Sequence, residues 1–171
     1  MDFLSLIRDI PDFPSPGVVF KDITPVLGHA DAFAELVLAL SEPSRGSGIT
    51  KVAGIEARGF TLAAPVAKEL EAGFVPLRKP GKLPWQTISQ PYSLEYGSDA
   101  LEMHTDALEP GDRVLIVDDV IATGGTAAAA VNLIRRGDAE VVGVTVFIEL
   151  GFLNGRKALD SVPFYALIRY D

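Results

Sequence analysis

No cysteine occurs among the 171 residues, which excludes disulfides and thiolate chemistry. The only two histidines, His29 and His104, are far apart in sequence and do not make a zinc site. Positive charge is in deficit too, with 15 Lys and Arg against 23 Asp and Glu and a net charge of −8. That balance argues against nonspecific binding to nucleic acid or acidic membranes, although a local basic patch can still hold a small anion. No apolar run approaches the ~20 residues of a spanning helix, and the N-terminus lacks a basic segment followed by an apolar core. A cytoplasmic location is expected. Repeats, low-complexity tracts and long linkers are also missing.

What is present is globular: 48% of residues are hydrophobic and 22% charged. A chain of this length buries roughly two-thirds of its surface, so one domain over 1–171 is the expectation. Phe3, Leu6, Ile7 and Ile10 share one face of a helix over 2–10, stopped by Pro11. The proline-rich 11–17 then reads as an extended crossing ahead of Val18–Asp22. Asp31 suits the N-cap of a helix over 32–40. Residues 51–56 and 74–78 read as strands, and 60–71 as a helix with Pro65 at its start or at a kink and Gly73 at its end. The run from Lys79 to Pro91 has three prolines and no period, which predicts a functional loop. Tyr92–Tyr96 and Ala100–Thr105 read as an antiparallel pair around Gly97, with Leu101 and Met103 on one face and Glu102 and His104 on the other. Strands over 140–150 and 162–170 complete an alternation of strands and helices, hence a parallel sheet with ligands beyond its carboxyl ends.

The densest stretch is Val114-Leu-Ile-Val-Asp-Asp-Val-Ile-Ala-Thr-Gly-Gly-Thr126, followed by four alanines. Val114 to Val117 predict a buried strand ended by Asp118 and Asp119, and the alanines begin a helix reaching Arg136 before Gly137. The first amides of a helix lack internal partners and favour negative charge, so a glycine-rich entry suits a phosphate. No lysine follows the glycines and no GxGxxG occurs, so the P-loop and the dinucleotide fingerprint do not fit. Paired aspartates could accept hydrogen bonds from vicinal hydroxyls, which points to a sugar phosphate. Alone, an Asp-Asp pair or a Thr-Gly-Gly is more often a solvated turn capping a helix; the complete string favours the ligand. Arg58, between a strand and Gly59, could hold a second anion or merely cap the surface. Lys79 and Lys82 add charge in the loop that follows.

The central string resembles the fingerprint of the type I phosphoribosyltransferases: four apolar residues, two acidic ones, then a small or apolar stretch closing in Thr-Gly-Gly-Thr. Residues 16–25, 54–60, 78–84 and 92–97 extend the resemblance, in order, toward the branch that uses adenine. It implies an open twisted, mainly parallel α/β sheet flanked by helices, with an N-terminal hood over 1–30 and a flexible lid loop over 79–91. The implied reaction is Mg2+-dependent transfer of the 5-phosphoribosyl group from 5-phosphoribosyl 1-pyrophosphate (PRPP) to adenine, giving AMP and pyrophosphate. By the same resemblance Val19 and Lys21 read the base, while Arg58, Lys79 and Lys82 face the pyrophosphate. Asp118 and Asp119 take the ribose hydroxyls, and Ala122, Thr123, Gly124, Gly125 and Thr126 the 5-phosphate. Glu95 matches the catalytic glutamate, with Arg58 beside it in the chemistry. The Mg2+ would be held mainly by PRPP and waters. A cis peptide at Glu56–Ala57 and a homodimer are further implications. Two alternatives stand beside this reading: another base such as xanthine, guanine or orotate, or a regulator that binds PRPP without turnover. The short chain, the acidic charge and Glu95 weigh against the regulator.

Overall fold

The structure, a computed structural model, describes residues 2–93 and 98–171. It has two compact units, Met1–Ala39 and Leu40–Asp171.

In the first unit the helix expected over 2–10 does not form. A turn at Phe3, whose carbonyl accepts from the amides of Leu6 (3.0 Å) and Ile7 (3.1 Å), leads into strand β1 (Arg8–Pro11). β1 pairs antiparallel with β2 (Val19–Asp22), so that Asp9 stands opposite Lys21 with an ion pair of 2.7 Å. So short a helix is marginal by itself, and the ladder with β2 outweighs its apolar spacing. Residues 12–17 close this hairpin instead of crossing the surface, held by the amide of Phe13 to the Val18 carbonyl at 3.2 Å. α1 (Thr24–Leu27) and α2 (Ala30–Ser41) follow. His29 caps α2, its Nδ1 accepting from the amide of Ala32 at 3.3 Å. Asp31 is therefore not the cap; it sits in the first turn, where its charge meets the helix dipole favourably.

The second unit is built on a five-stranded sheet. β3 (Lys51–Ile55) leads through α3 (Arg58–Glu69) to β4 (Gly73–Leu77). The hairpin of β5 (Thr87–Ser93) and β6 (Ser98–His104) comes next. The chain then runs through β7 (Arg113–Ile121), α4 (Gly125–Arg136), β8 (Glu140–Leu150) and β9 (Phe164–Tyr170). The sheet order is β4-β3-β7-β8-β9 and every pairing is parallel. From β3 the chain builds outward to β4, and from β7 it builds the other way to β8 and β9. The switch between β3 and β7 opens a crevice at their carboxyl ends. Val52, Ala53, Leu115 and Ile116 are fully or nearly fully buried at the centre, and Leu133 and Ile134 of α4 share one core cluster with Ala53 and Ile116.

Several boundaries differ from the sequence expectation. β7 does not stop at Asp118 but continues to Ile121, because its backbone keeps pairing with β8 while the acidic side chains lie at the open end. α3 starts at Arg58, carries Pro65 inside it, and gives way through a left-handed turn at Glu71 (φ 56°). Gly73 opens β4 and does not end the helix. The last five residues of the loop expected over 79–91 belong to the strand β5, paired residue for residue with β6 from Thr87↔His104 to Ser93↔Ser98. Leu101 and Met103 of β6 are buried while Glu102 and His104 are half-buried, the alternation of faces expected. Between β8 and β9 two short 3-10 turns, Gly151–Leu153 and Gly155–Leu159, form where no apolar period is visible.

Candidate active site

A cavity of about 390 Å³ opens at the carboxyl ends of β3 and β7. Glu56, Arg58, Lys79, Asp118, Asp119 and residues 122–126 all line it. It therefore gathers, from segments far apart in sequence, most of the residues singled out above.

The glycine loop is shaped by what lies behind it. Gly124 has φ 85°, and a Cβ there would lie 2.1 Å from the Gly155 carbonyl oxygen and 2.9 Å from Ala158 Cβ. Only glycine meets both the left-handed backbone and the close approach. The first bond of α4 runs from the Ala128 amide to the Gly124 carbonyl at 2.9 Å. The amides of residues 125–127 precede it and mark the positive end of the helix dipole at the cavity wall.

The acidic pair stands across from this loop. Asp119 is 4% exposed, and its amide donates to Asp118 Oδ1 at 2.9 Å. A Cβ on Gly59 would come within 2.7 Å of that same Oδ1, so the missing side chain lets α3 begin close to Asp118. Burial pushes both carboxyl groups above their usual range, Asp118 well above it with the neighbouring Asp119 charge adding to the effect. Arg58 pulls Asp119 back down from 2.7 Å away. Buried carboxyl groups with displaced pKa values in a cleft are the usual mark of a working site.

On the cationic side Lys79 is held by the β5–β6 hairpin. Its Nζ reaches the Tyr92 hydroxyl at 2.6 Å and pairs with Asp99. Burial lowers the Lys79 pKa, but the bonds to Asp99 and Tyr92 outweigh it and leave the group raised. Its backbone is fixed as well, the amide donating to Glu56 Oε2 at 2.9 Å. The same carboxylate takes Arg78 Nε at 3.2 Å, and these bonds, the Lys79 amide first, hold Glu56 below the usual range. The peptide Glu56–Ala57 is cis.

Not every expected residue lines this cavity. Lys82 is exposed and does not, although its carbonyl accepts from Arg78 Nη1 at 3.1 Å. Val19 and Lys21 belong to β2 in the first unit, Val19 being 47% exposed. Glu95 lies outside the described residues. Conversely, Glu56, Tyr92 and Asp99 were not anticipated as partners of Lys79; a glutamate closing a buried strand was the one signal available, for Glu56.

A parallel sheet, a helix-start anion cradle and an acid pair at the switch point, Asp119 buried and Asp118 half-buried, define a sugar-phosphate-binding α/β protein. The chain belongs to the family described as "Phosphoribosyl transferase domain", which it matches over residues 27–162. Within that family it is similar to the adenine phosphoribosyltransferase of Thermobifida fusca, 62% identical over 94% of this chain and 92% of the relative. Among solved structures, the adenine phosphoribosyltransferase of Rhodothermus marinus is 56% identical with a TM-score of 0.95, over 98% of this chain and 96% of that one. That of Saccharomyces cerevisiae, complexed with D-2,5-dideoxy-2,5-imino-altritol 1,6-bisphosphate and adenine, is 38% identical with a TM-score of 0.92, over 97% and 96%.

Proposed function

We propose that this enzyme transfers the 5-phosphoribosyl group from PRPP to adenine, giving AMP and pyrophosphate. The carrying observation is that one cavity holds the cradle at the start of α4, the Asp118–Asp119 pair, and the cations Arg58 and Lys79. Kinship with adenine phosphoribosyltransferases supports adenine as the base.

In this reading residues 122–126 bind the 5-phosphate and Asp118 and Asp119 accept from the ribose hydroxyls. Arg58 and Lys79 face the pyrophosphate, with Lys82 joining from the loop, and Val19 and Lys21 take the base. The bond from the ribose C1 to pyrophosphate breaks as the bond to N9 of adenine forms, through an oxocarbenium-like state. The protein's part is to hold the two anionic ends in line and keep water out, the loop from Lys79 serving as a lid. Glu95 exchanges the proton that the base must shed as N9 becomes the nucleophile.

The cavity's hard oxygen donors fit Mg2+. Asp119 Oδ2 is buried with no hydrogen-bond partner, and the carboxylates Glu56 and Asp118 stand in the same lining. Among the described residues no group of three or more His, Cys, Asp or Glu could hold a metal unaided, so PRPP oxygens and waters complete the set. The ion's contribution is to neutralise the pyrophosphate. Among the described residues no helix is long and apolar enough to cross a membrane. A single working domain and a cytoplasmic location belong to the same reading, and a homodimer is implied by family resemblance; sedimentation tests the last.

The test is AMP formation from adenine, PRPP and Mg2+ with hypoxanthine, guanine, xanthine and orotate alongside. AMP from adenine alone is expected. Product from a different base would leave the phosphate site standing and overturn the base assignment. PRPP binding with no product from any base would make the chain a regulator.

A further inference from the structure

Glu149 has no part in the chemistry above, yet among the described residues of the second unit it is the most deeply buried charged one. It is the next-to-last residue of β8, in register with Ile121 of β7 on one side and Arg169 of β9 on the other, and is 0% exposed. Arg156 closes on it like a fork: Nε lies 2.6 Å from Oε1, and Nη2 pairs with Oε2. Arg169 Nη1 adds a longer contact of 3.5 Å to Oε1. Arg156 hydrogen bonding, burial notwithstanding, holds the Glu149 carboxyl below its usual range.

Arg156 belongs to the 3-10 turn Gly155–Leu159, which is pressed against the back of the glycine loop. A Cβ on Gly155 would lie 2.2 Å from the Ala122 carbonyl oxygen and 3.0 Å from the Gly124 amide nitrogen. The contact is reciprocal, since the Gly155 carbonyl is what a Cβ on Gly124 would meet. Leu159, 2% exposed, anchors the far end of the turn in the core, and the Arg156 guanidinium lies 5.2 Å from the centre of the Phe164 ring.

With Glu149 in the core and the Arg156 side chain 48% exposed, the pair is a weak source of stability, because desolvation of the carboxylate and solvent screening of the guanidinium offset most of the attraction. What a planar two-point contact adds is direction, fixing angle as well as distance. Here the direction it fixes is that of the turn whose carbonyl abuts Gly124. We propose that Glu149 and Arg156 are positioning residues for the phosphate loop: their fork holds the Gly155 turn against residues 122–124, so that the start of α4 keeps the curvature that grips the 5-phosphate. This rests on reading residues 122–126 as the 5-phosphate cradle.

Ribose 5-phosphate titrated calorimetrically into the intact enzyme separates the two ideas. Wild type is expected to bind it, and Arg156→Met to bind it about tenfold more weakly, the scale of loss that a small misplacement of a binding group produces. The KM for PRPP should rise in parallel while the KM for adenine stays within about twofold, and Arg156→Lys, which keeps charge but not the fork, should fall between. If Arg156→Met does not fold by circular dichroism, Glu149→Gln, of the same shape, should show the same split at about threefold. Unchanged ribose 5-phosphate affinity in the folded variants would overturn the buttress and leave the cradle intact. So would KM values for PRPP and adenine rising together. A wild-type enzyme that ignores ribose 5-phosphate would remove the cradle and the buttress with it.

Discussion

Arg58 Nε stands 2.7 Å from Asp119 Oδ2, yet that oxygen is buried with no aligned hydrogen bond. By proximity the guanidinium opposes the effect of burial on the Asp119 carboxyl, without an aligned hydrogen bond to that oxygen, which suits an acceptor left for a ligand hydroxyl or a hydrated cation. Arg58→Ala removes the largest of the influences that oppose burial, so the Asp119 pKa rises further. The acid limb of kcat/KM for AMP formation should move to higher pH, with kcat/KM at neutral pH falling roughly tenfold or more. A pH profile of unchanged shape would detach Arg58 from the acid pair.

Asp118→Asn should make the unliganded enzyme more stable while weakening PRPP binding. The folded pKa of Asp118 is raised, so as pH climbs past the ordinary carboxylate value the unfolded chain ionises first and the folded state loses ground. That loss accrues between the unfolded and folded pKa values and persists above both. Asparagine removes it, and a gain of ~1 kcal/mol would raise Tm by about 2–4 °C for a chain of this size. Melting curves from pH 4 to pH 8 should show the advantage of the variant shrinking toward the acid end; a constant gap would assign it to packing.

Lys79 is engaged by Asp99 on the hairpin and, in the proposed reaction, by pyrophosphate. Asp99→Asn takes away the competitor. The KM for PRPP should fall about two- to fivefold, the range a partly exposed pair sustains, and Lys79→Ala should raise it in either background. Equal KM values in Asp99→Asn and wild type would mean that Lys79 never leaves Asp99.

Gly124→Ala and Gly17→Ala share a left-handed backbone, φ 85° at both, but differ in space: nothing lies within 4 Å of a Cβ at Gly17. Gly17→Ala should cost only the strain, about 1–2 kcal/mol, and leave AMP binding alone. Gly124→Ala must also displace the loop or the Gly155 turn, and should weaken AMP roughly a hundredfold. Similar AMP affinity in the two variants would deny the loop its role.

Glu95→Gln should lower kcat by about 10²–10⁴ with little change in PRPP affinity, as removal of a proton-exchanging group does. Full turnover in the variant would remove Glu95 from the reaction.

What the sequence made legible was whatever is periodic or locally chemical. The β-branched run ahead of Asp118, the alanines after Thr126 and the glycine turn after Arg58 each carry their structure in a few adjacent residues, and the cavity they form followed. Residues 2–10 have helical apolar spacing but form a turn and the strand Arg8–Pro11, because the partner that decides the matter, Val19–Asp22, lies beyond the hairpin loop. Pairing also decided residues 87–91, where prolines suggested irregular chain and the ladder to β6 made a strand. Glu149 and Arg156 left no local sign beyond one carboxylate at the end of a valine-rich run. Their meaning depends on Gly124 meeting Gly155, a contact between segments with no shared pattern.

The placement of the cavity between β3 and β7 has a consequence for how the molecule can be watched. Those two strands are neighbours in the sheet, Lys51 opposite Val114, yet the whole β4 strand and the β5–β6 hairpin separate them along the chain. No partly assembled form that lacks this long-range pairing can offer Arg58 and Asp119 to the same ligand. Occupancy by AMP therefore counts molecules in which β3 and β7 are paired. By mass action AMP at a hundred times its Kd should hold them in that state by about 2.7 kcal/mol, a protection that amide hydrogen exchange would register across β3 and β7 together.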